Sequence, residues 1–220
     1  MSSLALLQYS PSLFKSLPSV EDADCRLEAA GGLLKIHEEL NAVAQKHASA
    51  AHFVICLLHR HSDLDDDEVM IAFGTTTLPI KKSDIVPVKL GDIYATSWGI
   101  NPATGVMTPF EFAFGGTKDS EKPVQLDEGL AADFAQVLLD HGLQNLLGLA
   151  IRGDTDDIGL ESTHGRANIV VPQKLVLSQG SVIATTWPLV KPSDEGPRRC
   201  FGTCKMLRGK HETFHTNGNR

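Results

Sequence analysis

Cys56–Gly74, CLLHRHSDLDDDEVMIAFG, sets two histidines one residue apart at the end of an apolar run, then a dense acidic stretch, then a second apolar run. The periodicity on either side of the acids decides the fold class. Phe53–His61 and Glu68–Phe73 carry alternating or continuous apolar residues, which predicts two strands joined by a charged turn. Alternation along the first strand puts His59 and His61 on the face of Phe53, Ile55 and Leu57. Glu68 opens the second strand after a six-residue turn and is expected across from His61. Two imidazoles and a carboxylate converging from a hairpin suit Zn²⁺ or Fe²⁺ and leave coordination positions for water or substrate. The plainer reading is a turn starting at His61, with His59 hydrogen-bonded in a partly buried site. Calcium fits poorly. Asp63, Asp65 and Asp67 follow the opening of an EF-hand loop, but its sixth position is Glu68 instead of Gly and its twelfth is Gly74 instead of Glu. The acids read as a solvated turn.

Outward from this stretch, strand and helix signals separate cleanly. Residues 1–20 carry Leu4, Leu6, Leu7, Leu13, Phe14 and Leu17, interrupted by Pro11 and Pro18, an arm expected to dock on the domain. Ser19 opens a capping-box-like SVED, ahead of Leu33, Ile36, Leu40, Val43 and His47 at helical spacing, with Gly31-Gly32 expected to split or kink the helix. Strands are predicted at DIYATSWGI and GVMTPFEFAF around an Asn101-Pro102 turn, and later at LLGLAIR, GLEST, ANIVVP and SVIATTWPLV, with Pro188 favouring an edge for the last. Between them Asp127 caps an amphipathic helix whose face is Leu130, Phe134, Val137, Leu138 and His141, stopped by Gly142. The expected class is α+β: an antiparallel β-sheet or partial barrel with an N-terminal helical segment and one inserted amphipathic helix. Residues 1–190 are expected to form one domain, and residues 191–220 a linker and a basic Cys/His tail.

Composition narrows the function classes. With 220 residues, 42% apolar and 21% charged, the chain has an ordinary globular profile. Its net charge of −7 is uneven, since from Pro197 onward six Lys/Arg face a single acid, Glu212. An acidic body repels phosphate backbones, so nucleic acid is not the default partner. The N-terminal apolar patch is too short for a signal peptide, and no run approaches the ~20 apolar residues of a spanning helix. Four cysteines without a secretory signal point to a reducing compartment, with Cys25 and Cys56 expected as buried thiols. The expectation is a soluble, cytoplasmic protein with a small-molecule substrate and no membrane partner. The sequence leaves the oligomeric state open.

HRHSDLDDDEVMIAFG, at 59–74, resembles the first metal motif of cupins, and HGRAN, with His164 and Asn168, is similar to their later His/Asn element. The resemblance implies a small β-barrel holding a metal through His59, His61, Glu68 and His164, in the manner of dioxygenases, isomerases or related enzymes. The chain departs from that pattern in three ways, one being the roughly hundred residues, with the expected Asp127–His141 helix, that separate the two motifs. The interval from His61 to Glu68 is two residues longer, and DDIGLEST stands where Pro-x-Gly is usual. The wording LHRHSDL (58–64) also resembles fungal proteins, a likeness that carries no function with it.

Three further constellations carry chemistry. Glu161 and Thr163 share a strand face, and a His164-Gly165 turn folds His164 back toward it; Glu161 and His164 form a candidate acid/base pair or extra metal ligands, or else a polar hairpin face. Cys200, Cys204, His211 and His215 have the donor types of a tetrahedral zinc site, with a gap too short for a C2H2 finger. HETFH (211–215) satisfies H-E-x-x-H but lacks the expected helix and third ligand. No nucleophile elbow, phosphate loop or dinucleotide fingerprint appears. Two readings stand side by side. In one, a metal-dependent oxygenase, isomerase or hydrolase acts on a small organic molecule at His59, His61 and Glu68, with His164 as fourth ligand or proton carrier. In the other, a non-catalytic interaction protein has a basic C-terminal tail stabilised by zinc.

Overall fold

The structure, a computed structural model, describes residue 6 and residues 9–85, 93–115, 124–152, 159–172, 182–190, 202–207 and 210–212. Its first half opens with α1 (Pro11–Ser16), α2 (Val20–Ala29) and α3 (His37–Lys46), followed by β1 (Phe53–Leu57), β2 (Glu68–Phe73) and β3 (Thr76–Lys81). Then come β4 (Ile93–Ile100), β5 (Met107–Phe114), α4 (Glu128–Asp140) and β6 (Leu147–Ile151). The chain continues through β7 (Gly159–His164), β8 (Ala167–Pro172), β9 (Val182–Pro188), β10 (Gly202–Leu207) and β11 (Lys210–Glu212). The architecture is α+β, with one large sheet and helices packed against it.

Local chemistry sets the helix limits. The Asp22 N–H donates to Ser19 Oγ (3.2 Å), capping α2. Gly31 and Gly32, at φ 99° and 67°, end that run before α3. The Leu130 N–H donates to Asp127 Oδ1 (2.9 Å) at the start of α4, and Gly142 at φ 69° closes it. On α2 the buried positions are Val20, Ala23 and Leu27, so Cys25 lies on the outer face and is exposed, whereas Cys56 is buried in β1.

Strands β1 to β9 run in the order β7-β8-β3-β2-β5-β4-β6-β1-β9, and β10 hydrogen-bonds both end strands, parallel to β7 and antiparallel to β9. The sheet is not purely antiparallel, because β2 and β5 also run parallel. The β4–β5 and β7–β8 pairs form the two expected hairpins. The third expected hairpin does not form. β1 pairs with β6 and β9, and β2 with β3 and β5, so three strands separate the two apolar runs that flank the acidic stretch. The reason is burial. Every residue of β1 is buried, and the connection carries buried Leu58 and Leu64. That connection therefore covers apolar surface instead of turning tightly in solvent.

The sheet has two apolar faces. Phe53, Ile55, Ile71, Phe112 and Leu149 join one core with Leu27 of α2, Leu40 of α3 and Phe134 of α4. Cys56, Met70 and Phe110 face the other way and meet Leu13, Phe14 and Leu17 in and after α1, together with Leu58 and Leu64. Fully burying a side chain such as Phe14 stabilises the fold by roughly 1.5–3 kcal/mol, so α1 is held as an integral layer.

Candidate metal centre

Beyond Leu57 the chain runs through residues 58–67 as a loop tethered along its length. The Leu58 N–H donates to the Leu146 carbonyl (2.7 Å), the Arg60 N–H to the Pro18 carbonyl (3.0 Å), and the Lys82 N–H to the Asp67 carbonyl (2.7 Å). Lys15 of α1 pairs with Asp66 at 2.5 Å on the surface. The three backbone hydrogen bonds carry the two histidines past the end of β1 at fixed positions.

His59 is buried, and its Nδ1 donates to the Leu57 carbonyl at 2.8 Å. A carbonyl only accepts, so Nδ1 carries a proton, and in the neutral ring Nε2 then holds the lone pair. That is the tautomer in which an imidazole ligates a metal, with its second nitrogen oriented by a backbone carbonyl. The His61 ring stands edge-on to it, with centroids 4.5 Å apart and planes at 77°. His61 Nε2 lies 3.4 Å from Oε1 of Glu161 on β7, and both side chains are only 6% exposed. One ligand atom each from His59, His61 and Glu161 falls within 4.8 Å of the others. Ligands at about 2.1 Å from a tetrahedral Zn²⁺ stand roughly 3.4 Å apart, so binding would draw this set inward by small side-chain rotations. The donor types fit a borderline divalent ion, and three donors leave at least one position for an exogenous ligand.

The remaining candidates fall elsewhere. Glu68 is buried at the start of β2, but its carboxylate is gripped by Arg166, Nη1 donating to Oε1 at 3.0 Å and Nη2 to Oε2. The Asp65 N–H also donates to Glu68 Oε2 at 2.9 Å. The guanidinium holds the Glu68 carboxyl below the usual carboxylate range. The carboxylate brought to the two imidazoles is thus Glu161, because β2 lies three strands from β1 while β7 is linked to it through β9 and β10. His164 is exposed at the far end of β7, opposite Ala167, and is not in the group of three.

Cys200 and His215 lie outside the described residues. Cys204 sits on β10, in register with Glu161, and His211 on β11, in register with Met206. The segment expected as a linker and tail therefore supplies two strands, β10 beside β7 and β9, and β11 beside β10. Lys210–Glu212 is a strand, whereas H-E-x-x-H chemistry requires a helix.

Sequence reading singled out Glu161 as an acid/base group or an extra metal ligand without replacing Glu68 by it beside His59 and His61, and it passed over Arg166. The arginine sits inside HGRAN between two noted residues, and a single surface-type cation carries no periodic signal. Comparison with family models, curated proteins and solved structures finds no match for this chain.

Proposed function

We propose that the protein is a metal-dependent enzyme acting on a small organic molecule, with Fe²⁺ or Zn²⁺ held by His59, His61 and Glu161. The observation that carries this reading is the convergence of two imidazoles, one donating through Nδ1 to a backbone carbonyl, with a buried carboxylate from a distant strand. Such an ion, when bound, polarises a carbonyl or activates water or dioxygen, which covers isomerase, hydrolase and oxygenase chemistry. Glu161 then serves as ligand, and His164, exposed at the end of the same strand, remains the candidate proton carrier. The two histidines keep the cupin-like reading in view, with a different carboxylate completing the set. That β7 and β9 both reach β10 favours a partial barrel around this centre.

Metal content per chain, measured by plasma mass spectrometry on untagged protein, tests the reading. Wild type should carry bound metal, the His59→Ala/His61→Ala variant should lose it, and Cys200→Ser/Cys204→Ser should keep it. Metal retained without the histidines would overturn the assignment. Loss on removing the cysteines alone would move the zinc to the C-terminal segment and favour the interaction protein.

A further inference from the structure

The candidate ligands come from two pieces of chain, the 58–67 loop with His59 and His61, and the β7–β8 hairpin with Glu161. The Arg166 side chain spans both. Arg166 sits beside Gly165 in the two-residue turn between His164 and Ala167. Its guanidinium donates through Nη1 to Glu68 Oε1 (3.0 Å), and through Nη2 to Glu68 Oε2 and to the Asp63 carbonyl (2.9 Å). It therefore grips the loop at its crest and at its exit into β2. The Glu68 side chain is 6% exposed and that of Arg166 47%, so the pair seals the loop at its solvent edge. Bidentate geometry of this kind belongs to arginine, because an ammonium lacks the planar fork.

Resting on the metal-centre reading above, we propose that Arg166 is a positioning residue, which clamps the 58–67 loop to the β7–β8 hairpin through Glu68 and Asp63 and so holds His59 and His61 in reach of Glu161. It touches neither metal nor substrate. Its effect is on how far the three donors must move to bind. Without the clamp the loop keeps its tethers to Leu146, Pro18, Lys82 and Lys15, none of which belongs to the β7–β8 hairpin. Outer-shell groups that orient ligands typically change metal affinity by 10- to 100-fold, and that range is the expected loss.

The experiment is a Co²⁺ titration of the full chain, read by visible absorption and dissociation constant, in wild type, Arg166→Gln, Arg166→Lys and Lys15→Gln. Arg166→Gln should bind roughly 10- to 100-fold more weakly with an altered d–d spectrum. Arg166→Lys should recover only part of the affinity. Lys15→Gln, which frees Asp66 on the same loop, should match wild type. A merely structural role would lower the melting temperature of Arg166→Gln while leaving the Co²⁺ spectrum and affinity of the folded protein intact, and that result overturns the proposal. Should Arg166→Gln fail to fold, Arg166→Lys and Glu68→Gln decide in the same way. Co²⁺ binding that is absent, or indifferent to His59→Ala, removes the metal centre and the clamp's role together. Binding that needs His59 but ignores Arg166 removes the clamp alone.

Discussion

His61 Nε2 stands 3.4 Å from Glu161 Oε1, although one residue follows β1 and the other lies within β7. The sheet explains the meeting. β1 borders β9, β9 borders β10, and β10 borders β7, so the chain leaving β1 emerges two strands from Glu161. Glu68, entering β2, reaches the same hairpin from the other direction, through β3 and β8. The acidic connection thus touches β7–β8 at two points, by histidine and by the Arg166 clamp.

The first prediction separates stability from ligation at Glu161. Glu161→Gln keeps the side-chain volume and an acceptor oxygen facing His61, so its cost in metal-free protein should stay near the net worth of one hydrogen bond, about 0.5–1.5 kcal/mol. Glu161→Ala leaves a buried imidazole facing a cavity and should cost more, about 1–3 kcal/mol. Both should lose Co²⁺. Denaturant melts and titrations side by side check this. A Gln variant that binds Co²⁺ as wild type does would show the carboxylate is not a ligand.

Glu68 gives stability an acid limb. Its folded-state pKa is lowered, first by the hydrogen bonds from Arg166. In the window below the ordinary carboxylate value of about 4.3, the unfolded chain binds the extra proton and the folded chain does not, so stability falls as pH falls. The contribution is complete above that value and is lost as pH drops through the lowered one. Urea midpoints between pH 6 and 3 should therefore fall more steeply in wild type than in Glu68→Gln. Parallel curves would mean the clamp adds nothing to folding.

Glu111 should act with the opposite sign. Burial pushes its carboxyl up, only partly offset by the hydrogen bond that Ser97 Oγ donates to Oε2 at 2.9 Å. Burial also pushes up the Tyr9 hydroxyl and the Cys56 thiol, each further raised by Glu111. A folded pKa above the unfolded one means the folded state holds the proton longer. The contribution of Glu111 to stability is then complete below about pH 4.3 and is lost as pH rises through the raised value. Glu111→Gln, neutral throughout, should remove that decline and match or exceed wild type at pH 8. If wild type shows no such decline relative to the variant, the carboxyl is not held neutral by burial.

Much of this was legible in the residues. Asp127 and Gly142 bracket α4 because capping and left-handed closure are local events, and the Gly31-Gly32 break follows from the same backbone rules. The β4–β5 and β7–β8 hairpins follow from their turns. Pairing beyond neighbours was not legible. β1 and β2 read as a hairpin because each has a strand pattern, yet no period records which edge meets which. β3 was missed outright: Thr75, Thr76, Thr77 and Pro79 offer neither an apolar run nor alternation, and every residue from Thr76 to Ile80 is only half-buried. The centre shows the same division. His59 and His61 were visible as a local pair, whereas joining them to Glu161, and Glu68 to Arg166, required the long-range strand order.

The final prediction links the sheet to the loop through Gly148, which lies opposite Cys56 in β6. A Cβ added there would stand 2.4 Å from the Trp98 carbonyl oxygen, 2.7 Å from Leu58 Cδ2 and 3.4 Å from Cys56 Sγ. Leu58 could rotate away, but the Trp98 backbone is held in the β4–β6 ladder and cannot move alone. Gly148→Ala should therefore cost about 1–3 kcal/mol or more, as overpacking of a close-packed interior does. Gly142→Ala is the contrast. Nothing lies within 4 Å of its new Cβ, so only its φ of +69° is strained, at about 1–2 kcal/mol. Leu58 heads the 58–67 loop, so the clash at Gly148 is transmitted to His59 while the strain at Gly142 stays at the end of α4. Both variants should melt earlier, but only Gly148→Ala should weaken Co²⁺ binding. Equal affinity in the two would mean that the loop takes its position from Arg60, Arg166 and Lys82 alone, independently of how β6 packs beneath it.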